Sequence, residues 1–191
     1  MSACLGKAWG AQLKKAGIPF TKPKVTVAYG DRIKTACGIY RPGDTFGLYC
    51  QRNTTVYLMV NDYGVADELD SPQMLESLSI GYSYHIQRLI GVLDQEARVA
   101  RKSSKSGVVA LNSKVALQNI CFTGAFIGSV WDSLGHSKEH GSDYFINRHS
   151  PEGDVPGNGT TKNRVYWLGR GFGAQSPGAC NIFTAPASRV A

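Results

Sequence analysis

The spacing of apolar positions along the chain predicts a few short strands between longer helices. Residues 3–16 carry large apolar side chains at intervals of one helical turn, which is typical of an amphipathic helix. Alternating, β-branched residues predict strands at residues 24–29 and 54–60. Between these strands, residues 37–50 are rich in glycine and proline and are expected to form mostly loop.

Helical patterns dominate the rest of the chain. A cap residue followed by serine and proline predicts a long helix over residues 70–93. Residues 108–134 repeat apolar side chains at helical intervals and predict a second, buried helix. A last helix is expected over residues 160–168, closed by the glycines of residues 169–173. The charged residues 94–106 are either a helical extension or an exposed loop.

These elements predict one α+β domain over residues 1–191, with a small sheet packed on a long helix and a second buried helix beside them. Residues 135–160 are rich in turn-forming residues and are expected to be mostly loop. The chain shows no internal repeat and no linker-like segment. With 191 residues, of which 42% are hydrophobic, it is long enough to bury the core of one domain.

The formal net charge of +7 favours contact with an anionic surface, such as lipid or a wall polymer of the cell envelope. One local cluster contains Arg98, Arg101, Lys102 and Lys105. No nucleic-acid-binding signature accompanies these residues, so a nucleic-acid partner is not expected, and a solvated basic face is the simpler interpretation. No secretory signal follows Met1, and any native signal or anchor is expected to lie outside this chain.

The five cysteines are widely spaced and form no C-x-x-C pair. Such spacing favours disulfides, and therefore an oxidising, extracytoplasmic compartment, over buried free thiols. Cys37 and Cys50 flank a glycine- and proline-containing loop that has little hydrophobic support, which predicts a bond between them. A second bond is expected between Cys121 and Cys180, where it would fix the C-terminal tail. Cys4 is then left without a partner in the domain.

Signature stretches along the whole chain resemble the bacterial neutral zinc metallopeptidase family. The matching stretches occur in the family's order, at residues 35–38, 47–50, 55–58, 75–93, 117–122, 158–164 and 180–183. Each match is weak by itself, but together and in register they imply a zincin-like fold. In that fold the helix over residues 70–93 corresponds to the family's active-site helix.

The residues that carry the family's chemistry are replaced in this chain. A zincin places two histidines one helical turn apart on one metal ion, with a glutamate between them as the base. The resemblance puts Ile80, Gly81 and Tyr84 at those three positions. Ala116 stands at the third metal ligand, and Asn158 stands at the histidine of the family's H-G-T element. The resemblance therefore implies a catalytically inactive member that holds no metal and no cofactor.

The former metal site is expected to be filled by its new residues. Ile80, Tyr84 and Ile120 are the side chains available to fill it, and Ile80 and Tyr84 are expected to be buried against Ala116 and Ile120. A former substrate cleft is expected beside the strand residues 55–60, where a peptide could bind as an added strand. The candidate cleft residues are Val56, Tyr57, Leu58, Tyr82 and His85.

Two functional alternatives remain open beside an inactive binding or scaffold domain of the bacterial envelope with a protein or peptide partner. His136 and His140 belong to an H-x-x-E-H sequence, which is the inverted zincin motif and would make the chain a hydrolase with a relocated site. His85 is the other histidine that an enzyme of altered chemistry would recruit. Gly135 and Gly141 bracket that sequence, so a long helix is not expected there. The other alternative is a purely structural subunit of an envelope complex.

Overall fold

The computed structural model describes residues 1–41, 47–60, 72–135 and 153–190. These residues form an α+β protein, as the sequence predicts. The chain divides into two compact units, Met1–Ile90 and Gly91–Ala191. The first unit contains the sheet, and the second is helical in its described part.

The first unit has two helices and five short strands among its described residues. They are α1 (Ser2–Lys15), β1 (Lys24–Tyr29), β2 (Ile33–Thr35), β3 (Gly38–Tyr40), β4 (Gly47–Cys50), β5 (Thr55–Val60) and α2 (Pro72–Leu89). The predictions of α1, β1 and β5 are confirmed to within two residues. The prediction of loop over residues 37–50 is wrong in part, because β3 and β4 lie there.

The sheet of the first unit places β5 in its centre. The strand order is β1-β5-β4, and β2 pairs with β3 in a separate hairpin. β1 runs parallel to β5, with Val25 opposite Val56, and β4 runs antiparallel to β5, with Tyr49 opposite the same Val56. Both edges of β5 are therefore occupied by neighbouring strands.

Helix α2 packs on β4 and β5. The approach is close enough that a Cβ atom on Gly47 would overlap the carbonyl group of Ser77. A disulfide joins Cys37, in the turn between β2 and β3, to Cys50 at the end of β4, with 5.6 Å between the two Cα atoms. The predicted bond is confirmed, and it fixes the hairpin to the sheet.

The second unit begins with a break in the helical pattern. Gly91 has a φ of 81°, which is left-handed, and a new helix α3 (Val92–Ala100) starts after it. The predicted continuation of the preceding helix to Leu93 is therefore wrong, because the chain turns at the glycine. Of the charged residues 94–106, the first part is helical, and Ser104 then caps the next helix.

The long helix of this unit is α4 (Lys105–Trp131), followed in the described chain by α5 (Thr161–Ala174). Every residue from Val115 to Gly128 except Ile120 is buried, so the predicted buried helix is confirmed. Four short 3₁₀ turns complete the described part, at Asp132–Leu134, Pro177–Ala179, Ile182–Thr184 and Ala187–Arg189. None of the helices in the described ranges is long and apolar enough to cross a membrane.

Glycines allow α4 and α5 to pack backbone against backbone. A Cβ atom on Gly124 would overlap the carbonyl oxygen of Leu168, and one on Gly171 would overlap that of Cys121. The expectation that residues 169–173 end the last helix is wrong, because α5 continues through them to Ala174. Gly171 is needed for the approach of the two helices.

A second disulfide joins Cys121 on α4 to Cys180, which follows α5, and this pairing is also as predicted. Next to it, the side-chain amide of Gln118 donates to the carbonyl oxygen of Cys180 at 3.5 Å. Both contacts hold the C-terminal segment against the buried helix. Cys4 is exposed and forms no disulfide.

Candidate functional site

One face of helix α2 lies against the sheet. Of the three positions that correspond to the family's H-E-x-x-H motif, Ile80, Gly81 and Tyr84, this face contains Gly81. Residues 77, 81 and 85 are four apart and so share a face. The contacts of this face are Ser77 with Gly47, Gly81 with Val56, and His85 with Tyr49. The position of the family's catalytic glutamate therefore points at the central strand of the sheet.

Val56 occupies the space into which a side chain at position 81 would extend. Both residues are buried, and a Cβ atom on Gly81 would overlap Cγ1 of Val56. Ile80, Tyr84 and Ile120 were expected to fill the space at the family's metal site, but the space next to position 81 is filled by Val56. A carboxylate here would have to displace a core residue of β5.

Ile80 and Tyr84 lie one turn apart on α2, and both are half-buried. The isoleucine has no metal-binding atom. Desolvation of the phenol raises the pKa of Tyr84 above 10.0, so its hydroxyl stays protonated at neutral pH. A protonated phenol is a poor ligand in comparison with the imidazole that a zinc site requires.

His85 is buried, and both of its ring nitrogens are hydrogen-bonded. Nε2 lies 2.7 Å from the carbonyl oxygen of Thr21 and Nδ1 lies 3.0 Å from the hydroxyl of Tyr49. A carbonyl can only accept, so Nε2 donates and Nδ1 accepts from the tyrosine. Burial lowers the pKa of His85 below 6.5. The imidazole is therefore neutral at pH 7, and both nitrogens are engaged by protein groups.

The predicted cleft is wrong in position. Val56, Leu58, Tyr82 and His85 are all buried and belong to the core, while Tyr57 is half-buried and its hydroxyl accepts from Asn53 at 2.9 Å. The same strand cannot receive an added peptide strand, because β1 and β4 already occupy both of its edges. The sequence shows that this segment is a strand, but the number of its neighbours is a property of the whole sheet.

The remaining motif positions lie in the second unit. Ala116 is buried in α4, Ile120 is half-buried one turn later, and Asn158 is exposed in a turn. That turn is closed by a hydrogen bond of 3.0 Å from the backbone amide of Asn158 to the carbonyl oxygen of Val155. Asn158 is therefore a surface residue of a tight turn.

Arg164 holds the loop that precedes α5. Its buried guanidinium donates to the carbonyl oxygens of Gly159 at 2.8 Å and Gly153 at 2.6 Å. The carboxylate of Asp154 accepts from the backbone amide of Thr161 at 2.7 Å, at the first turn of the helix. This role of Arg164 was not predicted from the sequence, although a buried arginine that follows a glycine-rich turn is suited to binding several carbonyl groups.

The residues at the family's metal positions do not fit a zinc ion. Ile80 and Ala116 offer no donor atom, and Tyr84 offers only a protonated phenol. Within the described ranges, no three histidine, cysteine, aspartate or glutamate side chains come together as a metal site. His136 and His140, the alternative ligands, lie outside the described residues.

Comparison with known proteins agrees with the resemblance seen in the sequence. The model of the family described as "Putative neutral zinc metallopeptidase" matches residues 2–183. The "Uncharacterized protein YpfJ" of Escherichia coli K12 is 26% identical over an alignment of 197 residues, gaps included, that covers 92% of this chain and 66% of that protein. Its counterpart in Escherichia coli O6:H1 matches to the same extent. No solved structure matches the chain.

The chain thus spans 66% of the length of these curated relatives. The family match, in contrast, extends over nearly all of the sequence and includes α2 and the positions of Ala116 and Asn158. This chain therefore belongs to the neutral zinc metallopeptidase family.

Proposed function

We propose that this chain is a catalytically inactive member of its family and acts by binding a protein or peptide. The observation that carries the proposal is the contact between Gly81 and Val56. A zinc peptidase needs a carboxylate at that position to activate the attacking water. Here the residue is glycine, and a core valine fills the space that a longer side chain would need.

The replaced positions of α2 support the same conclusion. Ile80 and Tyr84 are a hydrocarbon and a protonated phenol, and the neighbouring His85 uses both of its nitrogens for internal hydrogen bonds. None of these three groups provides the ligand that would hold a metal-bound water in an open coordination position. This helix is interpreted as a structural element of its unit.

A binding role requires an accessible surface, and the free edge of β1 is the best candidate on the sheet. Among the described residues, β1 pairs with a strand on one side only. Val27 and Tyr29 of this strand are exposed apolar side chains. An extended peptide could add to such an edge through main-chain hydrogen bonds, and the strand's side chains would then contribute specificity.

The two disulfides favour an oxidising compartment, since such bonds are rare in reducing cytosol. We therefore place the proposed binding function outside the cytoplasm, in the bacterial envelope.

The proposal is tested first by elemental analysis of protein purified without chelator or affinity metal. We expect no stoichiometric zinc, and no hydrolysis of casein or of mixed peptides with or without added zinc. A content of about one zinc per chain that is lost in the double variant His136→Ala/His140→Ala would contradict the proposal. It would indicate a hydrolase with a relocated metal site instead.

The binding role is tested with a library of extended peptides and the intact chain. We expect the selected peptides not to bind the double variant Val27→Lys/Tyr29→Lys, because two lysines would replace the exposed apolar side chains that β1 offers to a peptide. Ile39→Lys is the matched control, because Ile39 is equally an exposed apolar residue but lies on the β3 hairpin. Failure of every peptide to bind the wild-type chain would favour a purely structural subunit.

A further inference from the structure

The end of α3, the start of α4 and the connection between them carry four cationic side chains within residues 98–105. Arg98, Arg101, Lys102 and Lys105 are all exposed, and no acidic residue occurs in the sequence between Glu96 and Asp132. Within the described part of the chain, none of the four forms an ion pair. We refer to residues 98–105 as the basic tip.

Backbone and side-chain hydrogen bonds fix the shape of the basic tip. The amide of Lys102 donates to the carbonyl oxygen of Val99 at 3.0 Å, and the hydroxyl of Ser103 donates to the same oxygen at 2.9 Å. Ser104 caps α4 by accepting from the amide of Gly107 at 3.2 Å. The cations therefore project from an ordered turn, which reduces the conformational entropy that binding would cost.

Apolar side chains accompany the cations. Val99 on α3 and Val109 on α4 are 39% and 40% exposed, close to the two ends of the basic tip. Cationic residues beside exposed apolar ones suit the interface of a lipid bilayer, where the charges meet phosphates and the apolar groups reach the acyl boundary. A nucleic acid or a wall polymer would attract the cations but would offer no apolar layer to the valines.

We propose that the basic tip is a docking surface for a bilayer that contains anionic phospholipid. Its four cations lie at the level of the headgroup phosphates, and Val99 enters the boundary of the acyl region. Each lysine or arginine near such a surface strengthens binding by about fivefold. This docking is independent of the β1 edge and of whether the chain has catalytic activity.

The test is sedimentation of the intact chain with vesicles of phosphatidylglycerol and phosphatidylcholine in equal parts. We expect binding that weakens as salt increases, and none to phosphatidylcholine alone. Arg101→Gln/Lys102→Gln should lower the partition coefficient about 25-fold. Val99→Ser should lower it about threefold, to a similar extent at each salt concentration.

The matched control removes the same charge from another exposed site. Lys14→Gln/Lys15→Gln, in the last turn of α1, should stay within about twofold of wild type. If both double variants lost vesicle binding to the same extent, the binding would depend only on the net charge of the chain, and the proposal would be overturned. Binding to duplex DNA or to an anionic wall polymer, with none to the phosphatidylglycerol vesicles, would overturn it too. Thermal melting of each variant confirms that all are folded.

Discussion

At the scale of single residues, position 81 depends on a side chain that is distant in the sequence. Gly81 lies in the middle of a helix, where glycine is normally unfavourable, and Val56 lies on the central strand directly against it. The glycine is required at this point of the helix because the side chain of Val56 occupies the space that a Cβ atom at position 81 would need. No window of sequence around either residue reveals the contact, since it is created by the packing of α2 on the sheet.

Alanine at position 81 is predicted to have opposite effects in two backgrounds. In the wild type, Gly81→Ala should destabilise the chain by about 1–2 kcal/mol, because overpacking outweighs the gain in helix propensity. In Val56→Ala, which leaves a cavity, the same change should be stabilising. Urea unfolding of the four proteins measures both effects. A stabilising Gly81→Ala in the wild type would show that the space is open.

His85 is predicted to make stability depend on pH. Its pKa is lowered below 6.5 in the folded chain, so between 6.5 and that lower pKa the unfolded state binds more protons. The free energy of unfolding should therefore decrease as pH falls through this window, and the contribution should be complete above it.

The measurement is urea unfolding at a series of pH values for the wild type and for His85→Gln. The glutamine amide can still donate to Thr21 and accept from Tyr49, but it does not titrate. We expect the pH slope of the variant to be flatter. Identical slopes in the two proteins would mean that His85 takes up a proton without loss of stability.

At the scale of elements, α5 shows how a glycine can belong to the interior of a helix. Gly169, Gly171 and Gly173 alternate along its last turns, but only Gly171 lies against the backbone of α4. The other two have nothing within contact distance of a would-be Cβ atom. Packing thus requires a glycine at position 171 but not at positions 169 and 173.

Alanine at Gly171 and at Gly169 should therefore have opposite consequences. Gly171→Ala should cost about 3 kcal/mol or more, because its Cβ would meet the carbonyl oxygen of Cys121, which is part of a helix and cannot move aside. Gly169→Ala, the matched control, should be neutral or stabilise by up to about 1 kcal/mol. Thermal and urea unfolding distinguish the two, and similar behaviour of both would contradict the packing described for α4 and α5.

The sequence predicts best the helices and strands in which the spacing of apolar residues is repeated several times. α1, β1, β5 and the long α4 repeat their apolar spacing often enough to be recognised. β2 and β3 have only three residues each, which is too short for an alternation to be seen. The end of α5 was predicted too early because of its glycines. The local sequence does not distinguish a glycine that ends a helix from one that packs against a neighbouring helix.

At the scale of the whole molecule, the family match extends over both units, and each unit contains one disulfide. Both cysteine pairings were predictable, because each would restrain a segment with few apolar contacts of its own. The replacement of the family's motif residues in α2 was also visible in the sequence. The location of the proposed binding surface was not predictable, since the order of strands in the sheet decides which edges are unpaired among the described residues.

Thiol counting tests the arrangement in the whole chain. Native protein from an oxidising compartment should contain one reactive thiol, at the exposed Cys4, before and after unfolding without reductant. Loss of the bridge in Cys121→Ser/Cys180→Ser should cost about 4 kcal/mol, and loss of Cys37–Cys50 about 3 kcal/mol, as the shorter loop implies. Three or more thiols in the native protein, found by alkylation and mass spectrometry, would refute the pairing.

The two bridges follow one another along the chain, and neither lies within the loop of the other. A chain that enters an oxidising compartment from its N-terminus can close Cys37 to Cys50 before the second pair has arrived. Only Cys4 then competes for either cysteine, and attack on the closed bridge would require its thiolate. Cys4 arrives before Cys37 and can pair with it first, so order of arrival leads to the native bonds only where Cys4 stays out of the exchange. Cys4→Ser should therefore mature without an isomerase to reshuffle the bonds.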